Sequence, residues 1–414
     1  MTQFKSDWLR ILDERGFLYQ STGLEELDQA AASGMLTGYC GYDPTAPSLH
    51  VGHLLTIMML YWFQQTGHKP ITLMGGATGM VGDPSFKDES RPLMTEQTIA
   101  DNMAGIKKAF GPILDYENGK NNAVMVNNAD WLKGLGYIEF LRDYGTHFSV
   151  NRMLSFESVK IRLEREQHLS FLEFNYMLMQ AFDFVELYKN YGCTVQMCGA
   201  DQWGNVINGV ELGRRKENVS LHGLTTALLT TASGKKMGKS EGNAVWLDRG
   251  LLSDYDFYQF WRNTEDADVI KFLKLFTALP MDEIARLAQL KDAEINDAKK
   301  ILAYEATKIV RGQEAADSAA ATALQTFSGT GKGADLPRFA LAQDDSRSII
   351  DLLVKAGLAA SKGEAKRLIA GKGIRINDEA VEDESRTISN DDFDADGEIK
   401  LSAGKKRHAL LTQS

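Results

Sequence analysis

At 414 residues, with a formal net charge of −10, 43% hydrophobic and 25% charged residues, the chain has an ordinary globular composition with length for about two or three domains. This excludes a membrane span, since no run of about eighteen apolar residues occurs, and a disulfide scaffold, since Cys40, Cys193 and Cys198 are too few and unsuitably spaced for a framework or a zinc site. The charged, amphipathic start lacks a signal-peptide pattern, the thiols suit a reducing cytoplasm, and the acidic balance argues against nonspecific coating of nucleic acid while permitting a local basic patch.

In chain order, Phe4 to Gly16 carries Trp8, Leu9, Ile11 and Leu12 at helical spacing, and a second helix is expected over Leu24 to Ala32. A strand through Tyr39 leads into the Pro-punctuated turn DPTAPSLH. The run LLTIMMLYWFQQTG that follows is apolar almost all round, as a helix packed on a sheet should be, and Gly67 stops it before the strand-like PITLMGG. This is a βαβ unit with its loop at the strand's carboxyl end, the edge where open α/β sheets bind ligands. GGATGMVGDPSFKDESRP is a long loop at the same edge, residues 95–110 read as helix, and AVMVNNADW reads as a short strand and polar turn. After a mostly helical connection over 137–190, TVQMCGADQWGNVINGVELGRR repeats the strand, Gly loop and helix. The expectation for 1–225 is therefore a Rossmann-like, doubly wound parallel sheet.

The polar loop TTASGKKMGKSEGN opens a second part, 226–327, that is α-helical by its periodicity from Asp254 onward. Residues 328–346, rich in Gly, Ala and Asp, read as a linker. Beyond it, 347–414 gives helix, turn, helix and a short strand, a small α+β domain. Its second helix carries Lys362, Lys366 and Arg367, continuing to Lys372 and Arg375, while Arg152, Lys160, Arg162 and Arg165 offer a second set of cations in the connecting helices.

The turn before the apolar helix places His50 and His53 where unpaired N–H groups and a positive dipole end favour phosphate, and Gly52 lets a base or ribose approach the backbone. Alone, the pair reads equally well as a helix cap. A metal site is disfavoured, because the zincin pattern needs i, i+4 spacing with an intervening Glu. The second motif is KMGKS, Lys236 to Ser240. Together HVGH and KMGKS resemble the HIGH and KMSKS signatures of class I aminoacyl-tRNA synthetases. The match extends over essentially the whole chain to the bacterial tyrosyl-tRNA synthetases, densest from Tyr39 to Arg91 and from Tyr176 to Asp248. Val51 stands where the family has isoleucine, and Gly238 replaces a serine, which removes one hydroxyl.

The resemblance implies a ligase that activates L-tyrosine with ATP, Mg²⁺ arriving on the nucleotide, and then charges tRNA(Tyr), working as a cytoplasmic homodimer with no membrane association. A carboxylate is already ionised at neutral pH, so activation rests on positioning and charge stabilisation. Thr45, His50, His53, Lys87, Arg91, Lys236 and Lys239 are the candidate phosphate donors, the last two on a Gly-flanked loop able to fold over the triphosphate. Tyr176, Gln180 and Asp183 follow i, i+4, i+7 and project from one helix face. By resemblance, Tyr39 and Asp183 bracket the substrate phenol, Tyr176, Gln180 and Asp83 hold its ammonium, and Gln202 orients its carboxylate. Cys40 and Asp201 meet the ribose near Thr56, Gly41, Asp43, Gly52 and Gly199 shape the nucleotide wall, and Ser240 joins Lys239 at ATP.

The C-terminal part resembles an RNA-binding fold shared with a small-subunit ribosomal protein, and the apolar stretch Phe140 to Phe148 is a candidate self-association face. Three other readings stay open. A tryptophan-specific relative shares the fold and signatures but lacks this C-terminal module and has no need of the Tyr39 and Asp183 pair. A noncatalytic RNA-binding paralogue of the splicing type would have no need of the histidines and lysines. An HxGH nucleotidyltransferase would lack the long helical domain.

Overall fold

The computed structural model describes residues 3–83, 85, 94–234, 237, 239–240, 243–328, 336–342, 345–394, 396–404 and 407–413. The chain divides into two compact units, Met1–Asp248 with Glu265–Ile295, and Arg249–Thr264 with Asn296–Ser414. This grouping differs from the expected boundary at 225/226. The stretch from 227 to 248 remains with the catalytic sheet, and helical periodicity alone cannot distinguish Glu265–Ile295 from the helices on either side of it.

In the first unit, strands β1 (Gln20–Ser21), β2 (Thr37–Tyr42), β3 (Lys69–Met74), β4 (Val124–Asn127), β5 (Cys193–Gly199) and β6 (His222–Thr226) form one sheet in the order β1-β6-β5-β2-β3-β4. All neighbours are parallel except the edge pair β1 and β6. Successive strands run outward on one side from β2 and on the other from β5, so the topological switch falls between these two, and their carboxyl ends bound a crevice. The Val51–Gln65 helix crosses this sheet with Val51, Leu54, Ile57, Met58, Met59, Leu60 and Phe63 fully buried. Trp8 of the Asp7–Arg15 helix stacks edge-on against Phe63 at 4.7 Å, so the amphipathic N-terminal helix seals the outer side of that helix.

In the connecting helices, Met153, Val159, Met177 and Leu178 form a small core against which Phe140, Phe148, Phe156 and Phe174 pack. Phe140 and Phe148 therefore point inward, which corrects their expected place on an outer apolar face. Arg162 is likewise unavailable as a surface cation: it is 2% exposed and donates to Glu173 Oε1 at 2.9 Å.

In the second unit, Asp254–Arg262, Ile295–Arg311 and Gln313–Ser328 are helices. Arg311 joins the first two through Asp254 at 2.6 Å and lies 4.6 Å over the Phe257 ring. After the short hairpin β7 (Lys239–Ser240) and β8 (Asn243–Ala244) of the first unit, the remaining strands belong to the C-terminal sheet: β9 (Arg338–Leu341), β10 (Ile374–Ile376), β11 (Glu379–Ala380), β12 (Glu398–Ala403) and β13 (Arg407–Gln413), ordered β11-β10-β12-β13-β9. Helices Ile349–Lys355 and Lys362–Ala370 cover it over a core that includes Ile349, Leu353, Ala365, Ile369, Ile374, Ile399 and Leu401, each at 0% exposure. Strand β9 falls inside the expected linker. Leu341 is buried in this core, and β9 pairs in parallel with β13 at the far end of the chain, a partner that local composition does not reveal.

Candidate active site

A cavity of about 350 Å³ opens at the carboxyl ends of β2, β3, β5 and β6. It is lined by every expected site residue whose side chain is described: Tyr39, Cys40, Gly41, Asp43, Thr45, His50, Gly52, His53, Thr56, Asp83, Tyr176, Gln180, Asp183, Gly199, Asp201 and Gln202. Lys87, Arg91 and Lys236 lie outside the described residues, and Lys239 and Ser240 are described in their backbone alone, as β7.

At the floor, the buried Asp183 accepts the Trp131 indole N–H at 2.7 Å and the Asn128 amide at 3.0 Å. Burial pushes its carboxyl from the ordinary 3.8 up to about 7, against the opposing pull of those two bonds. Asn128 also donates to Thr78 Oγ1 at 2.9 Å, and the Thr78 hydroxyl donates to Asp43 Oδ1 at 2.7 Å. The Tyr176 hydroxyl completes the chain, donating to Asp43 Oδ2 at 2.8 Å. Asp43, expected at the nucleotide wall, is thus tied to the Tyr176 side of the cavity. Gly75 makes that possible, because a Cβ there would stand 2.0 Å from Asp43 Oδ1.

The Tyr39 hydroxyl is buried without a hydrogen-bond partner among the described residues, its ring held edge-on by Phe184 at 5.2 Å. Burial, helped by the nearby Asp183 charge, raises its pKa well above 10, so it stays a donor. Directly across the β2–β5 register, Gln196 leaves its Oε1 buried and unpartnered as well. Each orphaned buried group costs about 1–3 kcal/mol until something pairs with it. Both side chains belong to the cavity wall, so this end of the cavity is suited to a polar ligand.

At the other end, His50 is the N-cap of the Val51–Gln65 helix. Its Nδ1 accepts the Gly52 N–H at 3.0 Å, while His53 Nδ1 accepts the His50 N–H at 3.3 Å. With both Nδ1 atoms accepting, each neutral ring carries its proton on Nε2. The capping reading and the chemical one therefore coincide. A Cβ on Gly52 would meet His50 Cε1 at 2.7 Å and lie 3.5 Å from the Met237 carbonyl, so this glycine makes room for the ring. The Gln202 amide donates to Asp83 at 2.7 Å and to Asp201 at 3.2 Å, while Asn205 donates to its oxygen at 2.9 Å. The Cys40 thiol is pushed up to about 11 by burial, which keeps it neutral. Backbone pairing joins the HVGH turn to the chain that follows KMGKS: Val51 N–H donates to Val245 O at 2.9 Å and Leu247 N–H to Leu49 O at 2.8 Å, on either side of a bridge between His50 and Trp246.

Thr78, Asn128, Trp131 and Gln196 were not singled out by sequence. Only Gln196 carried a local signal, as the one amide in the mostly apolar run of β5.

A doubly wound sheet whose switch point holds a histidine-capped helix, paired to the chain that follows the KMGKS motif, defines a class I aminoacyl-tRNA synthetase. Sequence families agree: "tRNA synthetases class I (W and Y)" matches residues 32–328, and the "Tyrosine--tRNA ligase SYY-like C-terminal domain" matches 330–411. Over 99% of both chains, this one is 58% identical to the tyrosine--tRNA ligases of Agrobacterium fabrum and Brucella suis. Among solved structures, the C-terminally truncated mitochondrial tyrosyl-tRNA synthetase of Aspergillus nidulans is similar at TM-score 0.70 and 34% identity, over 77% of this chain and 94% of that one. The Archaeoglobus fulgidus tyrosyl-tRNA synthetase complexed with L-tyrosine shares the fold at TM-score 0.55 and 18% identity, over 76% of this chain and 100% of that one. The chain belongs to the tyrosine–tRNA ligase family.

Proposed function

We propose that the cavity activates L-tyrosine with MgATP and that the tyrosyl group then passes to the 3′ end of tRNA(Tyr). The observation that carries this reading is the cavity floor, where the orphaned Tyr39 hydroxyl and the Asp183 carboxyl offer a substrate phenol one donor and one acceptor. An indole has only an N–H to give and would leave Tyr39 unpaired, which disfavours tryptophan. The histidine pair, held in donor tautomers, disfavours a binding-only paralogue.

In the first step a tyrosine carboxylate oxygen attacks the α-phosphorus, the new O–P bond forms, the bond from phosphorus to the bridging oxygen breaks, and pyrophosphate leaves with Mg²⁺. Tyr176, Gln180 and Asp83 hold the ammonium, and Gln202 orients the carboxylate. His50 and His53 donate through Nε2 to nucleotide oxygens, while Lys87, Arg91, Lys236 and Lys239 offset the charge developing on the phosphates. In the second step a terminal ribose hydroxyl attacks the anhydride carbonyl and AMP leaves. The basic helix Lys362–Ala370 and its sheet bind the tRNA backbone.

Exposed apolar side chains on the connecting helices, among them Tyr137, Ile138, Val150 and Phe171, support a homodimer. Three buried free thiols suit the cytoplasm. Pyrophosphate exchange with each amino acid in turn tests the whole reading. Tyrosine alone should stimulate exchange, and stronger stimulation by another amino acid, or none by any, overturns it.

A further inference from the structure

The segment that leads into the lysine loop is held by Glu265, Asp268 and Lys271, more than thirty residues downstream. Lys271 Nζ donates to Thr230 O at 3.0 Å, Ala232 N–H donates to Asp268 Oδ2 at 2.8 Å, and the Ser233 hydroxyl donates to Glu265 Oε1 at 2.9 Å. Asp268 is 3% exposed and occupies the N-cap of the Val269–Phe276 helix, yet its side chain makes no capping bond to that helix. An aspartate at this position ordinarily satisfies its own helix amides; here the carboxylate is turned to the stem of the loop.

The opposite end of the same helix is fixed just as specifically. Arg15, 5% exposed, donates to Lys274 O and Thr277 O, each at 2.9 Å, and to Leu279 O at 2.6 Å. Its guanidinium lies 4.1 Å over the ring of Trp62, a residue of the helix that His50 caps. Burial lowers its pKa to about 10, which leaves it charged at neutral pH. Val269, Leu273 and Phe276 sit at 0% exposure along the buried face between these two ends.

We propose that the Val269–Phe276 helix is a positioning strut for adenylate formation: Asp268 and Lys271 at one end, and Arg15 at the other, fix the Thr230–Ser233 stem of the lysine loop relative to the histidine-capped helix. Point charges stabilise a transition state only where they stand against the developing charge, and small displacements of them are costly in rate. The strut also gives a reason for Glu265–Ile295 to return to the catalytic unit. The inference rests on the assignment of Lys239 to ATP.

The test is pyrophosphate exchange by Asp268→Ala, Asp268→Asn, Lys271→Ala and Lys239→Ala, with the first and third also made in the Lys239→Ala background. Asp268→Ala should lower kcat on the order of tenfold while KM for tyrosine stays within about twofold. Asp268→Asn keeps an oxygen acceptor for Ala232 N–H and should recover most of the rate. Lys271 is exposed, so its alanine variant folds and should show a smaller loss in the same direction. In the Lys239→Ala background neither change should add a further loss, because both act through the loop. Additive losses, an equal rise in KM for tyrosine, or an asparagine variant no better than alanine overturns the strut. Should Asp268→Ala fail to fold, Lys271→Ala decides, and a loss that persists without Lys239 overturns it. An impaired Lys239→Ala beside unimpaired strut variants refutes the strut alone, whereas a fully active Lys239→Ala refutes the loop assignment and the strut with it.

Discussion

Trp131 donates its indole N–H to Asp183 at 2.7 Å in the floor of the cavity, one of two bonds that hold the carboxyl of Asp183 rigid without making it fully acidic. Burial carries that carboxyl from 3.8 to about 7, so it changes charge near neutrality. A phenol donates better to a carboxylate than to a carboxylic acid. KM for tyrosine should therefore fall as pH rises through about 7 and then level off, and Asp183→Asn should flatten the profile. The stability effect has the opposite sign. Because the folded pKa is raised, the native state keeps a proton that the unfolded chain releases, so this contribution is full below 3.8 and is lost as pH rises through 7. Exchange kinetics across pH check the first claim, and a parental profile with no inflection near neutrality refutes it.

Tyr39→Phe should separate stability from specificity. The hydroxyl is buried with no protein partner among the described residues, so removing it relieves a penalty of about 1–3 kcal/mol and should hold or raise the melting temperature. With tyrosine bound the same hydroxyl has a partner, so the variant should bind tyrosine more weakly and reject phenylalanine less well. Thermal unfolding of the free protein and the ratio of kcat/KM for the two amino acids are the measurements. A variant that unfolds earlier while still rejecting phenylalanine as the parent does would contradict the assignment.

The Tyr176, Gln180 and Asp183 face was legible because helical periodicity places such residues together whatever surrounds them, and the Val51–Gln65 helix was legible from its apolar run. Asn128 was not. A polar residue after a strand reads as a surface turn until the fold brings it to Asp183, and that contact spans 55 positions. Strand β9 and the return of Glu265–Ile295 to the catalytic unit were illegible for the same reason, since their partners β13 and Arg15 lie at the two ends of the chain. The basic stretch from Lys362 to Arg375 was visible in sequence, but its pairings were not: Lys362 meets Asp351 at 2.7 Å and Lys372 meets Glu382 at 2.7 Å.

His50 should show two separable functions. Asparagine can accept the Gly52 N–H as the histidine does and is among the best N-caps. His50→Asn should therefore keep the parental stability while losing adenylate formation, whereas His50→Ala should lose both, with a stability cost of about 1 kcal/mol. Denaturant unfolding beside pyrophosphate exchange checks this. Equal destabilisation by the two variants would show that the cap contributes nothing.

The Arg162 and Glu173 pair predicts a large loss of stability from a residue with no assigned chemistry. Both side chains are nearly inaccessible, at 3% and 6% exposure, and Ser170 adds a hydroxyl donor to the same carboxylate at 2.9 Å. Arg162→Ala strands a buried carboxylate and should cost about 3–5 kcal/mol. Replacing both residues by apolar ones of similar volume should cost much less. The check is the urea midpoint of each variant, and a single variant as stable as the parent refutes the argument.

Truncation after Ser328 should spare tyrosine activation and abolish tRNA charging. Every described residue assigned to tyrosine or ATP lies in the first unit, while the C-terminal sheet and its helices enclose a hydrophobic core of their own, from Leu341 to Leu411. The cut must precede β9. Ending the chain at Asp345 would leave Arg338–Leu341 as an edge strand without β13 and expose its unpaired backbone groups. The lysines of the basic face are exposed and paired to acids, and such pairs contribute little, so phosphates can displace the carboxylates. Affinity for tRNA should consequently fall steeply with salt, whereas exchange should respond weakly. Exchange and aminoacylation, measured side by side on full-length and truncated protein at two salt concentrations, give the answer. Charging at the parental rate by the truncated protein would move the tRNA anchor to the connecting helices, where Arg152 and Lys160 remain at the surface.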